Sequence, residues 1–337
     1  MKCSREDNFH DKQYMVNTEY SPKRENPLRK ENNMNKKLIT ILAGVAVAAM
    51  ATGCSNAATS SAASEQSSTG TSSVTEESKA SETASTGGES ATTEELSGTL
   101  SMNGSTSMEK VIKAVNGAFM EKYKDVTVNL NLTGSGTGIQ EASEGKCDIG
   151  NSSRKLKDEE AEKLEATVVG LDGIALVVNP VNKLEDITIE DLAKVYSGEI
   201  TNWKDLGGDD KAIVVIGRED GSGTRDGFES IVMGDKEPKY AQELESTGSV
   251  INAVATTDGA IGYASLANVD ETVKALKVDG VEATEENVKS GAYAVQRPFI
   301  CATLKDSDNK LVKAYLDFIL SDEGQALVSA QGAVPVK

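Results

Sequence analysis

From about residue 96 onward the hydrophobic positions alternate between two rhythms, one of the strand and one of the helix. Residues 99–102 read as a short strand. Met108, Val111, Ile112, Val115 and Phe119 then recur at helical spacing, which puts them on one face. Val126, Val128, Leu130 and Leu132 alternate with polar residues, as in a half-buried strand. Residues 167–178 and 213–216 are apolar and strand-like, whereas 158–165, 188–196, 249–255 and 311–320 carry the helical pattern. Thr188 and Asp191 form a capping pair at the start of one of these helices. The alternation predicts an α/β architecture with mainly parallel sheets.

The first hundred residues follow neither rhythm. After Met34 come Lys36 and Lys37, an apolar run over 38–51, and the ending Ala51-Thr52-Gly53-Cys54. This is the layout of a secretory signal, and the run is short for a bilayer span. The ending resembles a bacterial lipoprotein lipobox, with Ala51 where leucine is usual and Cys54 as the lipidated residue. Residues 34–53 are therefore expected to be a lipoprotein signal peptide. Residues 1–33 are polar and mixed in charge, either an upstream mis-start or a polar leader. Residues 54–97, the lipid-bearing cysteine and then mainly Ser, Thr, Ala, Glu and Gly, bury too little apolar surface to offset chain entropy. They are expected to be a disordered tether, anchored through Cys54 to the extracytoplasmic face of a cell membrane.

Composition removes several classes of chemistry. The 337 residues carry a formal net charge of −18, which opposes a phosphate backbone and predicts no nucleic-acid partner. His10 is the single histidine. Removal of the leader leaves no imidazole, which excludes a Ser-His-Asp triad, a histidine base and zinc sites built on histidine. Beyond Cys3 and Cys54 stand Cys147 and Cys301, either one disulfide or two buried free thiols, with no metal spacing. No cofactor and no metal are expected.

The chemistry lies where strands give way to helices. Four short loops rich in Gly, Ser and Thr occupy such points: 103–107 (Asn-Gly-Ser-Thr-Ser), 134–138 (Gly-Ser-Gly-Thr-Gly), 150–154 (Gly-Asn-Ser-Ser-Arg) and 217–225 (Gly-Arg-Glu-Asp-Gly-Ser-Gly-Thr-Arg). Helix N-termini offer unpaired N–H groups and the positive end of the helix dipole. One such loop is an ordinary cap. Four, gathered at the carboxyl edge of an α/β sheet, make an anion site without a basic surface. Arg218 adds a guanidinium suited to two parallel bonds to an oxyanion. The alternative for Arg218 is a surface ion pair with Glu219 or Asp220. No P-loop or G-x-S-x-G pattern is present, so the loops read as donors and not nucleophiles.

These segments are similar to a known family. Residues 192–228, with I-T-N-W and R-x-D-G-S-G-T, residues 148–154 (D-I-G-N-S-S-R), residues 258–263 (D-G-A-I-G-Y) and the leader resemble the phosphate-binding subunit of bacterial phosphate ABC importers, the PstS family. The resemblance spans essentially the whole region after the tether. It implies a two-lobed periplasmic-binding-protein-like (type II) clamp with a hinge, not an enzyme. Such a clamp captures inorganic phosphate and delivers it to ABC permease subunits in the membrane. The chain would cross the hinge near Gly173 and near Pro298, giving one lobe of 98–173 and 298–337 and another of 174–297. Carried over by motif, the phosphate ligands are Thr106, Ser107, Ser135, Ser153, Arg218, Ser222, Gly223 and Thr224. Well-known members have an aspartate where Ser153 falls, which accepts a proton from the ligand. Here either Asp220 takes that role or selectivity over sulfate is reduced.

Three other classes remain in view: a binding subunit for another oxyanion such as sulfate, molybdate or tungstate, a surface adhesin or signalling lipoprotein, and a secreted hydrolase. The last needs a nucleophile and an acid–base pair or metal that the composition does not offer. A monomer is the default for a clamp of this kind.

Overall fold

The structure, a computed structural model, describes residues 96–337. The expected signal peptide, Cys54 and nearly all of the tether lie outside the described residues. The described chain begins with β1 (Gly98–Gly104), α1 (Glu109–Lys122), β2 (Val126–Asn131), α2 (Ser135–Ser143), β3 (Ile149–Ser152) and α3 (Asp158–Ala161). It continues through β4 (Leu164–Val178), β5 (Asp186–Ile187), α4 (Ile189–Tyr196), β6 (Val214–Arg218), α5 (Gly223–Val232) and β7 (Gln242–Leu244). The last elements are α6 (Thr247–Thr256), β8 (Ala260–Ser265), β9 (Lys274–Val278), α7 (Glu285–Ser290), β10 (Gln296–Leu304), α8 (Lys310–Ile319) and α9 (Asp322–Ala330). None of the described helices is long and apolar enough to cross a membrane.

The expected helical face of α1 is buried: Val111, Ile112, Val115 and Phe119 pack with Leu100, Met102, Phe299, Tyr315 and Phe318. Burying a side chain of this size contributes about 1.5–3 kcal/mol. A second set of apolar residues, among them Ile174, Leu176, Leu192, Tyr196, Trp203, Phe228 and Tyr263, forms a separate core. Thr188 caps α4 by accepting from the Asp191 amide at 3.0 Å, as its spacing predicts. Trp203 of the I-T-N-W motif is buried and donates its indole N–H to the Gly259 carbonyl at 2.9 Å, so two of the recognised motifs hold one another in place.

Two strands join the cores. The strand order is β2-β1-β3-β10-β4-β8-β6-β7, with β9 also on β4 and β5 on β9. Residues 164–173 of β4 pair with β10, and from Ile174 onward β4 pairs instead with β8 and β9. One strand thus serves both halves. The expectation of mainly parallel pairing needs correction: β1–β2, β1–β3, β5–β9, β6–β7 and β6–β8 are parallel, but every pairing of β10 or β4 is antiparallel. The helix expected over 158–165 is also shorter, ending at Ala161. Leu164 enters β4 opposite Leu304, and this long-range pairing overrides local helical spacing. Cys147 and Cys301 are both free and buried, and burial raises their thiols to about 11 and about 12. Thiols held this high remain protonated and unreactive at neutral pH.

Candidate functional site

Helix starts from both cores meet at one buried cluster of hydroxyl groups. On one side, β1 ends at Gly104, Ser105 follows, and Thr106–Met108 form a turn of 3-10 helix leading into α1. Ser135 opens α2 after Gly134, whose φ of +94° is a conformation that glycine adopts without strain. On the other side, Arg218 ends β6, Ser222 caps α5, and Gly223 and Thr224 are its first residues. The R-x-D-G-S-G-T motif is therefore a strand end followed by a capped helix start, as anion loops require.

The two sides touch through hydroxyls. Ser107 Oγ lies 2.7 Å from Thr224 Oγ1 and 2.9 Å from Thr247 Oγ1. Thr106 Oγ1 accepts from the Thr247 amide at 3.2 Å. The Gly136 amide donates to the Gly221 carbonyl at 2.8 Å, a main-chain bond across the same cleft. Gly223 is required by this closeness: a Cβ there would overlap Ser135 Oγ and come within 2.8 Å of Ser153 Oγ. The approach of backbone to hydroxyl is available only to glycine.

Arg218 forms the ion pair with Glu219 that its alternative reading named, but at 2% exposure the arginine is buried and not at the surface. Its Nη1 donates to Thr247 Oγ1 at 3.2 Å, while Nε and Nη2 hold both oxygens of Glu219 at 2.9 and 2.8 Å. Further bonds to the Leu244 and Glu245 carbonyls fix its plane. Tyr263 of D-G-A-I-G-Y accepts from the Arg218 amide at 3.1 Å, and burial raises its hydroxyl to about 12. That motif thus supports the arginine from behind and is not itself a ligand set.

Of the nine expected site residues, Thr106, Ser107, Ser135, Ser153, Arg218, Ser222, Gly223 and Thr224 come together here. Asp220 does not. Its side chain is 95% exposed and pairs with Arg225 at 3.1 Å, so it faces solvent and has no part in the cluster. The reason is local: Gly221, with φ +84°, turns the chain between Asp220 and the buried cap Ser222. Ser153 differs in a subtler way. It follows β3 directly, and the next helix, α3, begins only at Asp158, so the third loop contributes a hydroxyl and no helix start.

Sequence reasoning missed four participants. Thr247 begins α6, two residues earlier than expected, with Ser246 accepting from the Ser249 amide as cap. The S-T-G-S run carried that signal. Ser105 lies inside the first loop and donates to Ser153 Oγ at 2.9 Å. Arg297 and Asp172 come from β10 and β4, and both are almost wholly buried. Arg297 Nε and Nη2 donate to Asp172 Oδ2 at 3.1 and 2.9 Å, and Nη1 donates to Ser153 Oγ at 3.1 Å. Asp172 Oδ1 accepts from Ser265 at 2.8 Å. Burial pulls the Arg297 guanidinium down and pushes the Asp172 carboxyl up, each charge opposing the shift of the other. Among the described residues no group of three His, Cys, Asp or Glu side chains is placed to hold a metal ion.

What the cluster offers is a small, buried set of hydroxyl and amide donors, one wall guanidinium and converging positive helix ends. This arrangement binds a compact oxyanion and supplies no nucleophile.

Comparison with known proteins agrees with that chemistry. A family model for the PBP superfamily domain matches residues 89–323. The phosphate-binding protein PstS of Bacillus subtilis is 36% identical over 245 residues, covering 71% of this chain and 81% of that protein. A Clostridium perfringens chain described as a phosphate ABC transporter substrate-binding protein, solved with bound phosphate, superposes with a TM-score of 0.67 at 41% identity. The match covers 71% of this chain and all of that one. An ABC-type phosphate transport receptor from Vibrio cholerae gives a TM-score of 0.60 at 31% identity, covering 70% of this chain and 99% of its own.

Proposed function

The chain belongs to the PstS phosphate-binding proteins of the PBP superfamily, and on that premise we propose that it captures inorganic phosphate outside the membrane and delivers it to an ABC permease. In this reading the two lobes, 98–173 with 298–337 and 174–297, are the jaws of a clamp that closes on one anion. Thr106, Ser107, Ser135, Ser153, Arg218, Ser222, Gly223 and Thr224 would face the phosphate oxygens, joined by Thr247. Asp220 has no role in it. Lipidation at Cys54 would anchor a monomer to the extracytoplasmic face, with the tether giving it reach to the permease.

The observation that carries this reading is the convergence of helix starts from both cores, with Arg218 buried beside them. Isothermal titration of the full chain with phosphate tests it. The Arg218→Met variant should lose about 30-fold to several thousand-fold in affinity, the 2–5 kcal/mol of a broken buried charge contact. A loss below about threefold would remove Arg218 from the site and the reading with it.

A further inference from the structure

A serine hydroxyl has two lone pairs and one proton. Both lone pairs of Ser153 Oγ are occupied by committed donors: Arg297 Nη1 at 3.1 Å on one side and the Ser105 hydroxyl at 2.9 Å on the other. The Ser153 amide is also directed, donating to Ser135 Oγ at 3.1 Å. What Ser153 retains is its own proton, whose sole protein acceptor among the described residues is Ser135 Oγ at a long 3.3 Å. Arg297 is itself held in place, its remaining nitrogens locked on Asp172 Oδ2, so it stays aimed at Ser153.

The neighbouring carboxylates are turned toward donors of the protein. Asp172 gives one oxygen to Arg297 and the other to Ser265, and Glu219 gives both oxygens to Arg218. Glu160 and Asp226 hold Arg154, which follows Ser153. Tyr263 is occupied by the Arg218 amide and Tyr240. Glu109, Lys110 and Lys113 stand at the rim, lining with Thr106 a cavity of about 710 Å³. Each of these carboxylates is already engaged by donors of the protein, and none of them is hydrogen-bonded to Ser153.

Resting on the functional reading above, we propose that Arg297 fixes Ser153 as an obligate hydrogen-bond donor, so that the site selects its oxyanion by charge and size and not by reading a proton on it. Two consequences follow. Dianionic phosphate, with one P–OH, binds better than the monoanion, whose second P–OH finds no strong acceptor. Sulfate, a dianion of the same shape with no proton, meets no repelling carboxylate and competes for the site. Arg297 is a positioning residue, acting on the ligand through Ser153.

Titrations of the unmodified full chain with phosphate and with sulfate, from about pH 5.5 to about pH 8, test this. Sulfate keeps one charge state over that range and so reports any titration of the protein's own groups. Phosphate affinity should rise about tenfold or more with pH while sulfate affinity stays level, and sulfate should bind within roughly a hundredfold of phosphate at the acid end. The Ser153→Asp variant, which supplies an acceptor, should weaken sulfate by at least about tenfold and flatten the phosphate profile. Tight phosphate binding that is level with pH and excludes sulfate would overturn the proposal and leave the functional reading standing. Failure to bind phosphate at any pH would overturn both.

Discussion

The helix starts and the linking strands build the site in opposite ways. At the helix starts, each donor is placed by its own neighbours: Ser222 accepts from the Arg225 amide three residues on, and Ser246 from that of Ser249. Several hydroxyls then share one cluster, so each is partly replaceable. Along β4 and β10 the arrangement depends on Asp172 and Arg297, which are 125 residues apart and bonded by two nitrogens on one oxygen. Local placement gives redundancy. Long-range placement gives a single contact with no substitute, in a medium that penalises an unpaired charge.

The sharpest way to break this contrast is to remove one charge. Asp172→Asn leaves Arg297 buried without a counter-charge and should cost about 3–5 kcal/mol of folding stability. Replacing one shared hydroxyl, as in Ser107→Ala, should cost about 1 kcal/mol. Urea unfolding of the two variants reads the difference directly. The Asp172→Asn, Arg297→Met double variant should recover much of the loss, because both charges leave together. Equal costs for the two single variants would mean that the linking strands are no more dependent on one pair than the helix starts are on one hydroxyl.

A smaller effect separates binding from stability. Gly223 is the first residue of α5 and has no positive φ, so the helix backbone itself admits alanine there. Its Cβ, however, would occupy the space against Ser135 and Ser153. Gly223→Ala should therefore weaken phosphate by about 10- to 100-fold, equivalent to roughly 1–3 kcal/mol, while unfolding shifts by less than about 1 kcal/mol. Titration and denaturation on the same preparation check both halves. A comparable loss in both would place Gly223 in the framework of the fold and not at its closing surface.

The same contrast explains what could be read from the sequence. Helix α1, strands β1, β2 and β6, and the cap at Thr188 were legible because the residues that decide them are close together. Eight of the nine site residues, carried over from the family resemblance by motif, fall in one cluster. Thr247 was within reach too, since Ser246 and Ser249 mark the start of α6. The Asp172–Arg297 pair left no local trace. Asp172 sits in an apolar run, and Arg297 precedes a proline near the expected hinge crossing, with no partner close in sequence. Only the pairing of β4 with β10 reveals that they meet. The antiparallel pairing of the linking strands and the early end of α3 were hidden likewise, because distant partners decide them.

Asp220 offers the smallest expected effect and the most direct check on local reasoning. By spacing alone it was a candidate proton acceptor, lying between a guanidinium and a row of hydroxyls. The turn at Gly221 carries it outward, and Arg225, its partner, is also held by Glu229 at 2.8 Å and Glu243 at 3.0 Å. Removing its charge therefore leaves Arg225 paired, and an exposed ion pair contributes at most about 1 kcal/mol. Asp220→Asn should leave the phosphate-to-sulfate affinity ratio within about twofold of the unmodified chain, and unfolding within about 0.5 kcal/mol. A marked gain in sulfate binding in this variant would mean that the carboxylate reaches the anion when the clamp is loaded. In that case the loop between β6 and α5 rearranges on binding, and the wall around Ser153 is not the sole determinant of selectivity.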